Sequence, residues 1–392
     1  AQFLGESIVL SLIAVALAAV AVAMMLGPFN ALLGMNLAFN PLEGRTLLSL
    51  LVFAVSVGLL AGCYPAFYLS GYSASRILKG ELTRGASGVR FRQALVVTQF
   101  AISIALIVAA AIARSQLQYA LTMDPGFTRD QVLLVRGSAL DGLGPNYQTM
   151  KEELLRHPQI SHVTAANLMP GDQNTNADGI RYEGSGDTIL GMAYLNVDYD
   201  FFETFDIEIL TGRAFSEDRG TDLFREPDAA SPASTAAFIV NEMAAAQMGF
   251  TPQTALNKWF ETIRGGLDSN LTVRGPIIGV VDNIYFSSIR EAVKPVYYRL
   301  MPHDNPVRQF PNFREMAVRL SGTDLSGTLQ HIEDTWNSLG PDLPFRVEFM
   351  DQKIQQLYQN EQRQGQLFTL FSVLAIAVAT LGLFGLAAYM TE

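Results

Sequence analysis

Cysteine is almost missing from this chain: 392 residues contain one, Cys63, and it lies inside an apolar run. No disulfide framework can form, so every domain must hold itself together by burial. Histidine is scarce too, and His157, His162, His303 and His331 show no metal-ligand spacing among themselves. No GxxxxGK[ST], GxSxG, HExxH or CxxC occurs. Those absences exclude P-loop nucleotide hydrolysis and the common hydrolase, zinc and redox signatures. The sequence offers no catalytic residue, no cofactor-binding residue and no metal-ligand set, and a membrane enzyme is the weakest reading. One acidic stretch comes near a calcium loop, with Asp172, Asn174, Asn176, Asp178 and Glu183 at positions 1, 3, 5, 7 and 12. Ala177 stands where the sharp turn wants Gly, Gly179 replaces an apolar residue and no good helices flank it. The stretch reads as a polar, Asx-rich loop. Asn270-Leu271-Thr272 fits a glycosylation acceptor, a pattern of low specificity.

Charge is sparse in four places. Ile8–Leu26, Leu47–Tyr64, Ala94–Ala113 and Leu367–Tyr389 are apolar runs nearly free of ionisable side chains. Each matches the ~20 residues a helix needs to cross a hydrocarbon core. The first run lacks a basic n-region, since Gln2 and Glu6 precede it, which argues against a signal peptide. Lys and Arg set the orientation. Arg76, Lys79, Arg84, Arg90 and Arg92 face one acid, Glu81, between the second and third runs, whereas the loop 34–46 holds only Glu43 and Arg45. The basic loop therefore reads as cytoplasmic, the polar block 115–362 as external and both ends as cytoplasmic. That block carries 19 Lys/Arg against 33 Asp/Glu, a net −14, which argues against nucleic acid as a partner.

Small residues at four-residue spacing mark helix-packing faces: Ala54, Gly58 and Gly62 in the second run, Ala375 and Ala379 in the fourth. Gln99 and Ser103 predict hydrogen bonds between helices, and Tyr64-Pro65 predicts a kink or an end. The third helix outruns the bilayer through Leu117, Tyr119 and Leu121 until Pro125-Gly126 stops it. The return predicts one helix from Asp351 to Tyr389, with Ile354, Leu357 and Tyr358 as an apolar stripe and Gly365 as its weak point. Leu117, Leu121, Ile354, Leu357 and Tyr358 are thus the residues of a paired stalk. Between the stalks the pattern is mixed. Gln131–Arg136 reads as a strand, Asn146–Arg156 as a helix and His162–Asn167 as a strand. Met316, Val318 and Leu320 alternate, Leu325 to Leu339 keep helical spacing, and Phe345, Val347 and Phe349 alternate again. Two β-α-β units bracketing the block predict a split ferredoxin-like core. Glu217–Thr235 reads as a loop, and a subdomain over about 236–300 as inserted, with a helix at Asn241–Met248 and strands at Pro276–Val281 and Val296–Leu300. The fold class is a membrane protein with transmembrane α-helices and one α+β domain outside.

"GLLAGCYPAFYLSGYSASRILKGEL", "FRQALVVTQFAISIALIVAA", "GFTRDQVLLVRG", "NVDYDFFETFDIEILTGRAFSED", "FIVNEMAAAQMGF" and "IIGVVDNIYFSSIREAVKPVYY" resemble successive segments of one family. The chain resembles the permease subunits of MacB/FtsX-like ABC transporters, in the eight-helix form made of two fused four-helix halves. The resemblance implies residues 1–69 as two transmembrane helices (about 8–33 and 47–69) and 70–92 as the cytoplasmic basic linker. It implies 93–123 as a transmembrane and stalk helix, 124–350 as a periplasmic MacB-like domain, and 351–392 as stalk and transmembrane helix. A family half runs helix, domain, three helices; here the order is three helices, domain, helix. With no initiator Met and a stop at Thr391-Glu392, this implies an internal fragment, the coupling helices falling outside it. The implied partners are a separate ABC ATPase subunit, membrane lipids and a periplasmic adaptor or substrate protein, working as a fused pseudo-dimer or dimer. The implied location is the bacterial inner membrane, and the implied mechanism relays ATP-driven motion through the stalk to the periplasmic domain for export or extraction. Two other readings stay open: an FtsX-type regulator that activates periplasmic cell-wall hydrolases, and a peptide-sensing membrane protein.

Overall fold

The computed structural model describes residues 2–70, 86–136, 146–227, 233–264, 271–288, 290–302, 313–339 and 345–391. By contacts the chain divides into two compact units, Ala1–Ser115 with Glu361–Glu392, and Gln116–Asn360.

The first unit is helical: α1 (Gln2–Leu33), α2 (Gly44–Ser70), most of α3 (Ala86–Thr122) and nearly all of the last helix, α10 (Gln359–Thr391). Among the described residues, four stretches are long and apolar enough to cross a membrane: Leu4–Leu33, Gly44–Cys63, Val96–Thr122 and Gln359–Phe384. Their outward surface is apolar on every side, with Leu10, Leu17, Phe53, Ile104 and Leu381 all exposed. A soluble helix would keep one polar face, so this distribution suits hydrocarbon rather than water. α1 closes on Gly34 in the left-handed region, where Asn30 exchanges two hydrogen bonds with the backbone of Leu37. α2 continues through Pro65 to Ser70, so that proline neither starts nor ends anything. Ser103 donates to the Gln99 carbonyl of its own helix at 2.9 Å. This back-bond replaces the interhelical bond expected of it, because the carbonyl one turn earlier is always within reach.

The second unit is an α+β domain whose order is β1 (Val132–Arg136), α4 (Tyr147–Leu155), β2 (Ile160–Ala166), β3 (Asn176–Tyr182), β4 (Leu190–Val197) and α5 (Phe201–Phe205). There follow β5 (Ile209–Gly212), β6 (Ala233–Thr235), β7 (Phe238–Asn241), α6 (Glu242–Gln247), α7 (Pro252–Ala255), β8 (Trp259–Arg264) and β9 (Leu271–Val281). The domain ends with β10 (Val296–Leu300), β11 (Glu315–Leu320), α8 (Leu325–Leu339), β12 (Val347–Phe349) and α9 (Met350–Leu357). Four strands lie in the order β2-β11-β1-β12, all neighbours antiparallel, with α4 and α8 as the connections inside the two β-α-β units. The remaining path runs β10-β7-β9-β8-β3-β4, and β4 then pairs in parallel with β10, closing a six-stranded ring. Ala166 opposite Val197 joins the ring to the four strands. The stretch 236–300 is therefore not self-contained: its strands need β3 and β4, which precede it.

Period-two alternation sorts the side chains into two cores. Tyr297 points to one, with Phe238, Phe260, Val273 and the helix residues Tyr147, Ile332 and Trp336. Val296, Tyr298 and Leu300 point to the other, with Phe201, Phe202 and Phe205 of α5. In β9 the backbone of Ala236 comes so near Gly275 that a Cβ there would collide with the Ala236 carbonyl. The stretch read as a polar loop over 172–183 contains β3, paired on both edges. Its Asn, Asp and Gly are weak strand formers, and two flanking partners override that preference.

Candidate functional site at the two connections of the α+β domain

Two buried charged clusters inside the domain are held by their own hydrogen bonds and ion pairs. Lys151 of α4 reaches Asp198 at 2.7 Å and Asp200 at 2.5 Å, and the Tyr147 hydroxyl donates to Asp198 at 2.7 Å. Burial first, then the Asp198 charge, pushes Tyr147 well above its ordinary value. Burial pulls Lys151 down, but Asp198 and Asp200 outweigh it and the net shift is upward. Inside the ring, Asp178 accepts from the Tyr297 hydroxyl at 2.7 Å and from Arg299 at 3.2 Å. The buried Arg299 guanidinium also donates to Asn196 at 2.6 Å and lies 3.9 Å from the Tyr194 ring centroid and 4.3 Å from that of Phe224. Tyr297 is raised well above its ordinary value, mainly by burial. These groups lock elements together. They also dispose of the calcium spacing: Asp178 is used inside the ring, Glu183 by Lys258 and Asp172 by Lys353. Among the described residues no cluster of His, Cys, Asp and Glu could hold a metal.

The residues read as a stalk belong to, or pack against, one large apolar cluster. α3 brings Leu117, Ala120 and Leu121 into the second core, and α9 brings Met350, Ile354, Leu357 and Tyr358 into the same one. Arg129 caps the end of α3, donating to the Leu121 carbonyl at 2.7 Å. Phe127 then packs edge-on to Phe205, ring centroids 6.4 Å apart. Helical periodicity alone predicts this stripe, since 117 and 121, or 354 and 358, share a face. The return helix is not continuous. It breaks at Tyr358, where the backbone leaves helical geometry (φ −104, ψ 7), and Gly365 sits unbroken inside α10. The Tyr358 ring is 3% exposed, so burying it directs the chain there.

Sequence reading missed the polar half of this site. Lys353, 4% exposed, places its Nζ 2.7 Å from Asp172 and 3.2 Å from Glu315. It thereby ties α9 both to the turn before β3 and to the edge of β11. Gly171 in that turn has φ +93, and a Cβ there would lie 3.1 Å from Ile354 Cδ1. The available signal was a lysine one turn before Leu357, on the edge of an apolar stripe. A cation in that position needs acids from elsewhere.

Helix-packing residues occupy close approaches in the first unit. Ala54 is fully buried; a Cβ on Gly58 would lie 2.7 Å from the Ile8 Cα, and one on Gly62 3.0 Å from the Ser7 Cβ. Ala379 is buried and Ala375 half-buried. A Cβ on Gly382 would lie 3.3 Å from the Gln99 Oε1. Of the basic linker, Arg76, Lys79 and Arg84 lie outside the described residues. Arg90 and Arg92 fall on the α3 backbone, their side chains outside the description.

No family model and no curated protein matches the chain. Among solved structures it is similar to the periplasmic region of MacB from Actinobacillus actinomycetemcomitans, at 14% identity and TM-score 0.38, over 61% of this chain and 98% of that one. It is also similar to the extracellular domain of the ABC-type transporter YknZ from Gram-positive bacteria, at 13% identity and TM-score 0.34, over 53% and 92% of the two chains.

Proposed function

We propose that this chain is the permease subunit of a MacB/FtsX-like ABC transporter, non-catalytic itself. It relays motion generated by a separate ATPase to an extracytoplasmic α+β domain that exports or extracts substrate. The observation that carries the proposal is the convergence of both connections of the domain on one apolar cluster. Leu117, Leu121, Ile354, Leu357 and Tyr358 give the domain a single base through which a displacement enters. The sequence resemblance supports the same reading. The four strands β2-β11-β1-β12 with α4 and α8 are read as the split ferredoxin-like core. The basic linker and both ends lie in the cytoplasm of a bacterial inner membrane, and the domain lies beyond it.

Reconstitution with an ABC ATPase partner tests the proposal. Inserting Gly-Gly after Leu117 leaves ATP hydrolysis running and stops substrate release. Unchanged release with the insertion refutes the relay. Protease added from outside the inner membrane must cut the domain, and a protected domain refutes the orientation.

A further inference from the structure

The segment 283–288, between β9 and β10, touches both connections of the domain. On the incoming side the Tyr285 amide donates to the Pro125 carbonyl at 2.9 Å. Gly126, at φ +81, sits so close that a Cβ would be 2.7 Å from the Asn283 carbonyl oxygen and 3.3 Å from the Ile284 Cγ2. On the outgoing side the Gly171 amide donates to the Phe286 carbonyl at 2.6 Å, and Gly171 itself is packed on Ile354 and Lys353 of α9. The Ser288 and Tyr358 hydroxyls lie 3.4 Å apart. No residue of the strap belongs to a helix or strand, yet Ile284 and Ser287 are buried.

The strap's other anchor is in the closed ring. The Asn283 side chain accepts from the Met243 amide at 2.9 Å, satisfying a first-turn amide of α6, and donates to the Glu242 carboxylate at 2.8 Å. The Asp282 amide donates to the Glu208 carbonyl at 2.9 Å, which fixes the end of β9 to the start of β5. Behind the strap lies a cavity of about 30 Å³, bounded by Leu168, Leu195, Val296 and Tyr298. Ile284 and Phe286 pack on the second core beside it, so the strap is held by apolar contacts as well as by its hydrogen bonds.

We infer that residues 283–288 form a clasp between the two connections, and that this clasp delivers a displacement of either one to the six-stranded ring. The four-stranded part joins the same two connections directly, through β1, β12 and the Lys353–Glu315 pair, so the clasp is what ties the ring into that frame. This assignment takes its functional meaning from the permease reading, but its physical content is independent of any ATPase.

Amide hydrogen exchange on the detergent-solubilised full chain, without nucleotide, tests it. Ile354→Ala loosens the seat of Gly171 from the outgoing side. The expected result is a joint rise of about three- to tenfold at the Gly171, Tyr285 and Met243 amides, with β8 unchanged. Gly126→Ala, acting from the incoming side, is expected to raise the same three amides. Tyr358→Phe is a milder outgoing-side change should Ile354→Ala fold poorly. A rise at Gly171 alone overturns the clasp, and so does an even rise that includes β8. Absence of an ATPase partner, read separately by hydrolysis assay, sinks the permease reading and leaves this exchange pattern standing.

Discussion

Replacing Lys353 by Met keeps the length of the side chain and removes its charge, and the geometry says which of two effects decides the outcome. If the aliphatic stem matters most, the thioether fills the same space over Gly171 and the loss is small, under ~1 kcal/mol for a volume-conserving change. If the charge matters most, Asp172 and Glu315 lose the cation they share. Breaking a buried pair by removing one partner costs about 3–5 kcal/mol. The two acids are about a fifth exposed, at 21% and 17% of their side chains, so water recovers part of that. The expected loss is ~2–3 kcal/mol, discounted from the buried-pair figure for solvent screening.

The charge argument makes a second demand. Lys353→Met combined with Asp172→Asn and Glu315→Gln must recover most of the loss, because the neutral amides need no cation. Urea unfolding of the detergent-solubilised chain, followed by near-ultraviolet dichroism, reads all three proteins on one scale. A single-variant loss below 0.5 kcal/mol on the order expected for exposed pairs, or a triple variant no more stable than the single, refutes the electrostatic pin.

Arg299→Leu removes the cation inside the ring while Asp178 keeps its Tyr297 donor, and a loss of ~3 kcal/mol in the same unfolding assay is expected; a near-neutral result means the aromatic sandwich around the guanidinium tolerates leucine and the ion pair is incidental. Gly58→Leu drives a side chain into the Ile8 backbone and is expected to separate α1 from α2, read as lost cross-linking between cysteines placed on the two helices; full cross-linking counts against the close approach. Tyr147, Tyr297 and Tyr298 all have raised values. A group raised on folding stabilises fully below its unfolded value and loses that contribution as pH rises toward its folded one. Stability is therefore expected to fall above pH ~10 by about 1.4 kcal/mol per pH unit per tyrosine. Tyr298→Phe should reduce that slope, and an unchanged slope would show that the ring is not protected.

The helices and the outer strands were legible because each carries its own period. Leu325 to Leu339 reads as a helix from spacing alone, and α8 spans those residues. The strand β1 declares itself by an apolar run, and β11 by the alternation of Met316, Val318 and Leu320. β3 and β4 could not be found that way. Asn176–Tyr182 contains Asn, Asp and two residues with almost no side chain, and it becomes a strand only because β4 and β8 supply partners on either edge. The information that makes it a strand lies in residues 190–197 and 259–264, so no window centred on it holds the answer. The closure of the ring is further from view, since β4 and β10 are about a hundred residues apart in sequence and meet in parallel.

The site divides along the same physical line. Apolar contacts are predictable in kind, because any exposed stripe must be covered by something apolar, and Leu117, Leu121, Ile354, Leu357 and Tyr358 needed no knowledge of their partners to be singled out. Polar contacts are predictable only in pairs. Lys353 acquires a role from Asp172 and Glu315, 181 and 38 positions away by their numbers, and neither acid differs by itself from a surface carboxylate. Backbone contacts are harder still. The strap at 283–288 works through the amide of Tyr285 and the carbonyls of Asn283 and Phe286, groups that every residue has. What the sequence does mark are the places where another backbone comes too close for a Cβ, and Gly126 and Gly171 are the two glycines against which this part of the domain is closed. Glycines at positive φ beside a connection to a membrane helix are therefore a better guide to such a site than its charged residues. They register contact with the backbone itself, through which a displacement would have to pass.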